Sequence, residues 1–317
     1  MNHLIHLLAF FLSLSADDTD KGLKTIRADD IRKHQTVLSS DKLEGREAGS
    51  DGGHAAALYI EAQFKKWKFR PGGLEKTFFQ PFGAAAGKPL EKGKKNVVAI
   101  WPGTGGKLKE EYVVIAAHYD HVGRGFRNSN GGKAGEIHNG ADDNASGSST
   151  MLDIAEAVSQ CKFQRTLVCI GFDAEENNLE GSRHWTANPT LPIESCFAMV
   201  NCDMIGRNAP QQVFCGVEKD EKGEPKHPKW VAMVKDAEKK FGASFDWTGF
   251  DAYIKRSDHW PFMEKGVPAL FFSGGIHADY HKETDDIEKI DFAKEELIGK
   301  IAFTILSRAA NSPSPLK

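Results

Sequence analysis

Apolar and polar positions along the chain fall into two alternating regimes. Five short runs are apolar almost throughout: "NVVAIW", "YVVIAAHYD", "TLVCIGFDAEE", "CFAMVNCDMIG" and "PALFFSGG". Several are separated by stretches with apolar residues at helical spacing, such as "TMLDIAEAVSQ" and "PKWVAMVKDAEKK". Before the first run, Ala57, Ile60, Phe64 and Trp67 follow a Gly-rich entry and precede a Pro-Gly-Gly stop, which predicts one amphipathic helix. Strands apolar on both faces and alternating with helices predict an α/β fold, a mixed, mostly parallel central sheet with helices on both faces.

Three of the runs end in charged groups: His118 and Asp120, then Glu175 and Glu176, then Asp203. Ligands of open α/β sheets bind beyond the carboxyl ends of the strands, so these side chains are expected to share one crevice. The stretch "HNGADDNASGSS" adds adjacent carboxylates, Asp142 and Asp143, framed by glycines, where local propensity explains neither a helix interior nor a strand. His281, in "HADYHKETDD" after the last run, completes the set.

Composition narrows the picture. A chain of 317 residues with 40% hydrophobic content can bury a substantial core. Its 41 basic and 44 acidic residues nearly cancel, which leaves no electrostatic footprint for nucleic acid. The apolar stretch from Leu4 to Leu14, followed by Ser15 and Ala16, is too short to span a bilayer and predicts a signal peptide over residues 1–16, although no Lys or Arg precedes it. One domain, residues 17–317, and a secreted or periplasmic location are the corresponding expectations, with no membrane span in the mature chain. Five cysteines without a CxxC pair indicate neither a disulfide framework nor a thiolate zinc site, and leave room for one bridge that the sequence does not choose.

Imidazole and carboxylate ligands without thiolate suit zinc or a similar divalent ion, and a carboxylate shared between two ions balances their charge. The HExxH zinc helix, the GxSxG elbow and the GxxxxGK[ST] phosphate loop are all missing. "PGTGGK" reads as a turn, and the contiguous Ser257, Asp258 and His259 of "SDHWPF" cannot form a catalytic triad.

The ordered motifs "AAHYDHVG", "NGADDNASG", "DAEE", "NCDMIGR" and "DYHKETDD" resemble the zinc aminopeptidases of the M28 peptidase family, as do "LEGREAGSDG" and "SDHWPF". The resemblance implies the family's phosphorylase/hydrolase-like α/β fold. It implies two zinc ions per chain, one held by His118, Asp142 and Asp203 and the other by Asp142, Glu176 and His281, with a cis peptide between Asp142 and Asp143. Asp120 would orient His118, Glu175 would be the general base, and Tyr280 (or Tyr253) would donate to the carbonyl oxygen. The protease-associated insert of some relatives is expected to be absent, with only "GAAAGKPLEKGKK" in its place. His121, His138 and His277 receive supporting or surface roles, and Phe250, Phe262, Phe271 and Phe272 read as core. The implied reaction removes N-terminal residues from peptides with a free amine. Three alternatives stay open. A single-zinc glutaminyl cyclase is disfavoured by Asp143; a carboxypeptidase-type relative would draw on Arg124, Arg127 or Arg207; an inactive binding ectodomain is disfavoured by the intact ligand set.

Overall fold

The computed structural model describes residues 19–83, 93–249 and 251–316. The expected leader and most of the segment standing in place of the insert therefore lie outside the described residues.

The first apolar run forms β3 (Lys95–Trp101), preceded by the short strands β1 (Arg70–Pro71) and β2 (Phe79–Pro81). The next three are β4 (Tyr112–His118), β5 (Thr166–Phe172) and β6 (Cys196–Cys202). The sheet is completed by β7 (Phe214–Val217) and by β8 (Ala269–Ser273), the last of the apolar runs. Strand order is β1-β3-β5-β4-β6-β8-β7, with β2 also pairing β3. The four inner strands β5, β4, β6 and β8 run parallel, whereas every flanking pair is antiparallel, so the parallel character belongs to the centre of the sheet.

All of β4 is buried because both faces of the sheet are covered. Val113, Ile115 and Ala117 enter one core cluster with α1 (Ala28–Leu38), α2 (Asp51–Lys66), α3 (Gly147–Ser159) and α7 (Phe292–Asn311). Tyr112, Val114 and Ala116 point the other way, into a smaller cluster with Trp185 of α4 (Glu180–Ala187) and Phe262 of α6 (His259–Glu264). This alternation is the period-2 geometry of a strand read on both faces. Helix α5 (Pro228–Phe241) starts with proline and ends at Gly242 in the left-handed region, φ 63°.

Register brings the strand ends level. His118 of β4 pairs with Phe172 of β5, and Cys202 of β6 pairs with Phe272 of β8. The residues that follow these ends meet at one edge.

Candidate metal centre

Four segments supply the site. His118 is the last residue of β4; Glu175 and Glu176 follow β5; Asp203 follows β6; His281 lies in the loop after β8. The fifth contribution is the irregular turn Ala141–Ser146, which leads into α3. Gly140 before it has φ 54°, and a Cβ there would fall 2.2 Å from the carbonyl oxygen of Asp143 and 2.4 Å from the His121 ring. Only glycine fits so close an approach.

The carboxylate at the centre is Asp143, not Asp142. One Asp143 oxygen lies 3.4 Å from His118 Nε2, and the other lies 3.1 Å from His281 Nε2 and 4.0 Å from His121 Nδ1. Asp203 approaches His118 Nε2 to 3.4 Å, and Glu176 approaches His281 Nε2 to 3.0 Å. Two groups with mutually close donor atoms result, His118–Asp143–Asp203 and His121–Asp143–Glu176–His281, and both contain Asp143. Asp142 turns the other way. Its Oδ1 accepts from the Gly206 amide at 2.6 Å, and its Oδ2 lies 3.2 Å from His277 Nε2. The cis peptide likewise falls one position later than expected, between Asp143 and Asn144.

The supporting groups are buried and specific. Asp120 Oδ1 lies 3.5 Å from His118 Nδ1, and its two oxygens accept the amides of Glu175 at 3.0 Å and Glu176 at 3.3 Å. One side chain thus orients His118 and the Glu175–Glu176 loop together. Asp285 Oδ2 accepts the amides of both Asp142 and Asp143. Arg46, from the "LEGREAGSDG" segment, is fully buried and donates to the carbonyl oxygens of Tyr119, Leu38, Asn139 and Gly140, which pins the chain entering the turn.

Electrostatics are strained in the way a cation would relieve. Burial disfavours the charge of Glu175, and Glu176, Asp203 and Asp258 around it push its carboxyl well above the usual range, against the opposing pull of His118. Burial would depress His281, but Glu176 and Asp143 hold it up at about 11. Burial would raise Asp143, yet the surrounding imidazoles pull it well below the ordinary carboxylate range. His281 Nε2 has no hydrogen-bond partner although two carboxylate oxygens stand within 3.1 Å, and His121 Nε2 is also unpartnered. Buried nitrogen and carboxylate-oxygen atoms that crowd together, only some of them hydrogen-bonded to each other, fit a zinc-type divalent ion.

A recess of about 410 Å³, open solvent included, lies over Asp143, Glu175 and Asp203, and both Tyr280 and Tyr253 line it. Tyr280 also lines the wider cleft beside Glu176 and His281. The remaining histidines separate. His121 joins the cluster, His277 faces Asp142, and His138 bonds within its own loop to the Glu136 carbonyl and Ser129. Ser257, Asp258 and His259 are buried side by side, with His259 bonded to the Ile254 carbonyl. Phe262, Phe271 and Phe272 are buried, Phe271 at the wall of the recess; Phe250 lies outside the described residues. All five cysteines are buried free thiols.

Residues 96–306 match the model of peptidase family M28. The chain belongs to that family. Among curated proteins it is similar to aminopeptidase YwaD of Bacillus subtilis, 28% identical over 198 residues, 59% of this chain and 38% of that protein. It is also similar to leupeptin-inactivating enzyme 1 of Streptomyces exfoliatus, 26% identical over 314 residues, 90% of this chain and 63% of that protein. The chain spans less than two thirds of the first curated relatives it matches, between 38% and 63% of their length. The M28 fold is shared with an aminopeptidase from Aneurinibacillus sp. strain AM-1, TM-score 0.71 at 18% identity, covering 94% of this chain and 97% of that one. It is shared as well with Porphyromonas gingivalis glutaminyl cyclase, TM-score 0.68 at 18% identity, covering 88% and 97%. No helix of the described residues is long and apolar enough to cross a membrane.

Proposed function

We propose that this M28 chain is a dinuclear zinc aminopeptidase that removes single residues from peptides with a free N-terminus. The observation that carries the reading is the convergence of two ligand groups on one shared carboxylate, Asp143, beneath a recess that Glu175 also lines. His118, Asp143 and Asp203 would hold one ion; Asp143, Glu176 and His281, with His121 alongside, would hold the other. Zinc bound there supplies Lewis acidity, polarising the peptide carbonyl and lowering the pKa of water.

The chain's own groups divide the remaining work. Glu175 accepts a proton from the attacking water and delivers it to the departing amine, a role suited to a carboxyl raised by burial. Asp120 fixes that glutamate's backbone by accepting a 3.0 Å hydrogen bond from its amide, so the base and the His118 ring stay in register. The Tyr280 hydroxyl donates to the developing oxyanion, and Tyr253 across the same recess is the second donor to test. The site's carboxylates accept the substrate ammonium, whereas an acetylated nitrogen is uncharged and would leave them unpaired.

Asp143 no longer separates the hydrolase from a cyclase, because it lies within the ligand cluster. The preference for hydrolysis rests on the complete ligand set together with Glu175. A mass-spectrometric assay on free, acetylated and glutamine-initiated peptides distinguishes the readings. Loss of an N-terminal residue from the free peptides alone is expected. Loss of ammonia from the glutamine peptide without bond cleavage would make the protein a cyclase, and a shortened C-terminus would make it a carboxypeptidase. No change with metals loaded would leave a binding module. The reading includes export of the chain before it acts, which N-terminal sequencing of the protein recovered from its source cells tests directly.

A further inference from the structure

We propose that Arg256, assisted by Lys255, makes this enzyme selective for substrates that present a carboxylate beside the scissile bond. The inference rests on the aminopeptidase reading and deepens it. Arg256 lines both the recess over Asp143, Glu175 and Asp203 and the wider cleft beside Glu176 and His281, and Lys255 lines the cleft next to it. A guanidinium on the wall of a cavity floored by carboxylates would be expected to pair with one of them. Arg256 makes no ion pair with any described carboxylate; its guanidinium instead lies 5.7 Å from the centre of the Tyr253 ring, and Lys255 Nζ lies 4.9 Å from that of Trp260. These aromatic contacts hold both cations on the wall.

Two other arginines, Arg207 and Arg124, are already engaged. Arg207 is 2.7 Å from Asp279 and 3.5 Å from Asp285, and Arg124 is 2.8 Å from Glu44. Two divalent ions held by Asp143, Glu176 and Asp203 would offset much of the floor's negative charge, and Arg256 lines the cavity as a cation with no ion pair to a described carboxylate. A guanidinium presents paired donors that match a carboxylate. The recess is also lined by the apolar side chains of Met204, Phe271 and Ile276. That combination suits a short aliphatic stem ending in a charge. The carboxylate has two possible sources, the side chain of an N-terminal Asp or Glu and the free C-terminus of a dipeptide.

The test measures kcat/KM of the metal-loaded protein for two substrate pairs, glutamyl against glutaminyl p-nitroanilide and alanyl-alanine against its amide. The expected result is a preference of roughly 10-fold or more for the charged member of one pair, collapsing towards unity in R256Q and partly restored in R256K, as for a lost hydrogen bond to a charged group. Preference in the first pair assigns the side-chain carboxylate, and preference in the second assigns the C-terminal one. Equal rates within both pairs, or a preference that R256Q leaves intact, overturn the proposal. If leucyl p-nitroanilide is cleaved while neither pair is discriminated, the inference fails and the aminopeptidase reading stands. If nothing is cleaved, calorimetric binding of glutamate against glutamine, and of alanyl-alanine against its amide, to wild type and R256Q decides for or against the inference by the same ratios.

Discussion

Exchanging Asp143 and Asp142 separately for asparagine is the sharpest test of the centre, since Asp143 lies in both candidate groups and Asp142 in neither. In D143N one carboxylate oxygen becomes an amide group that cannot ligate, at a position within 3.1 Å of His281 and 3.4 Å of His118. Because both ligand groups share Asp143, the loss reaches both ions. Zinc content after dialysis should fall from two equivalents to below one, and activity should fall by more than the roughly 10- to 100-fold typical of losing a supporting contact. In D142N the Gly206 amide keeps its acceptor, and only the charge facing His277 at 3.2 Å is removed. Zinc should remain near two equivalents, and the activity loss should stay within that supporting range of roughly 10- to 100-fold. Plasma mass spectrometry for zinc and hydrolysis of a leucyl p-nitroanilide read both quantities on the same samples. If D142N strips both ions while D143N keeps them, the shared ligand is Asp142 and the assignment made from the geometry is wrong.

E175Q should retain its metals while turnover falls by at least roughly 100-fold, the scale of a lost general base; loss of zinc in step with activity would make Glu175 a ligand. H121Q should weaken one of the two metal equivalents and spare the other, as titration of the metal-free protein with zinc would report, and unchanged affinity for both ions would remove His121 from the site. Asp153 offers a pH test remote from the metals: burial pushes its carboxyl up to about 8, and Asp30, Glu156 and Glu296 add to this against the opposing Arg27 amide. The unfolded chain ionises this group near 3.8, so stability is full below that pH and declines as pH rises towards about 8. D153N, which keeps an acceptor for the Arg27 amide, should lose less stability than wild type between those limits, by at most of order 5 kcal/mol in urea denaturation. Parallel pH profiles for the two proteins would refute the attribution.

Much of this was legible in the chain itself. The five apolar runs became β3, β4, β5, β6 and β8, because a strand buried on both faces has to be apolar throughout. Charged residues at the ends of three runs sufficed to place His118, Glu176 and Asp203 at one edge, since parallel strands deliver their carboxyl ends to the same side. What sequence could not decide was direction within the turn. Asp142 and Asp143 are adjacent and chemically identical, and only the backbone path of Ala141–Ser146, tied down by Asp285, Arg46 and the Gly206 amide, determines which carboxylate faces the cluster. The place of His121 was hidden for the same reason, as its ring lies 2.9 Å from Glu176 and packs against Gly140, neither of which is near it in sequence. Short β7 was missed because four residues carry too little periodicity to stand out, and its place at the sheet's edge depends on pairing with β8. Arg256 had no sequence signal at all, because its place on the wall of the recess depends on segments distant along the chain. Local pattern thus determined the elements and the kinds of ligand, whereas contacts between remote segments decided which oxygen, which ring and which cation meet in the site.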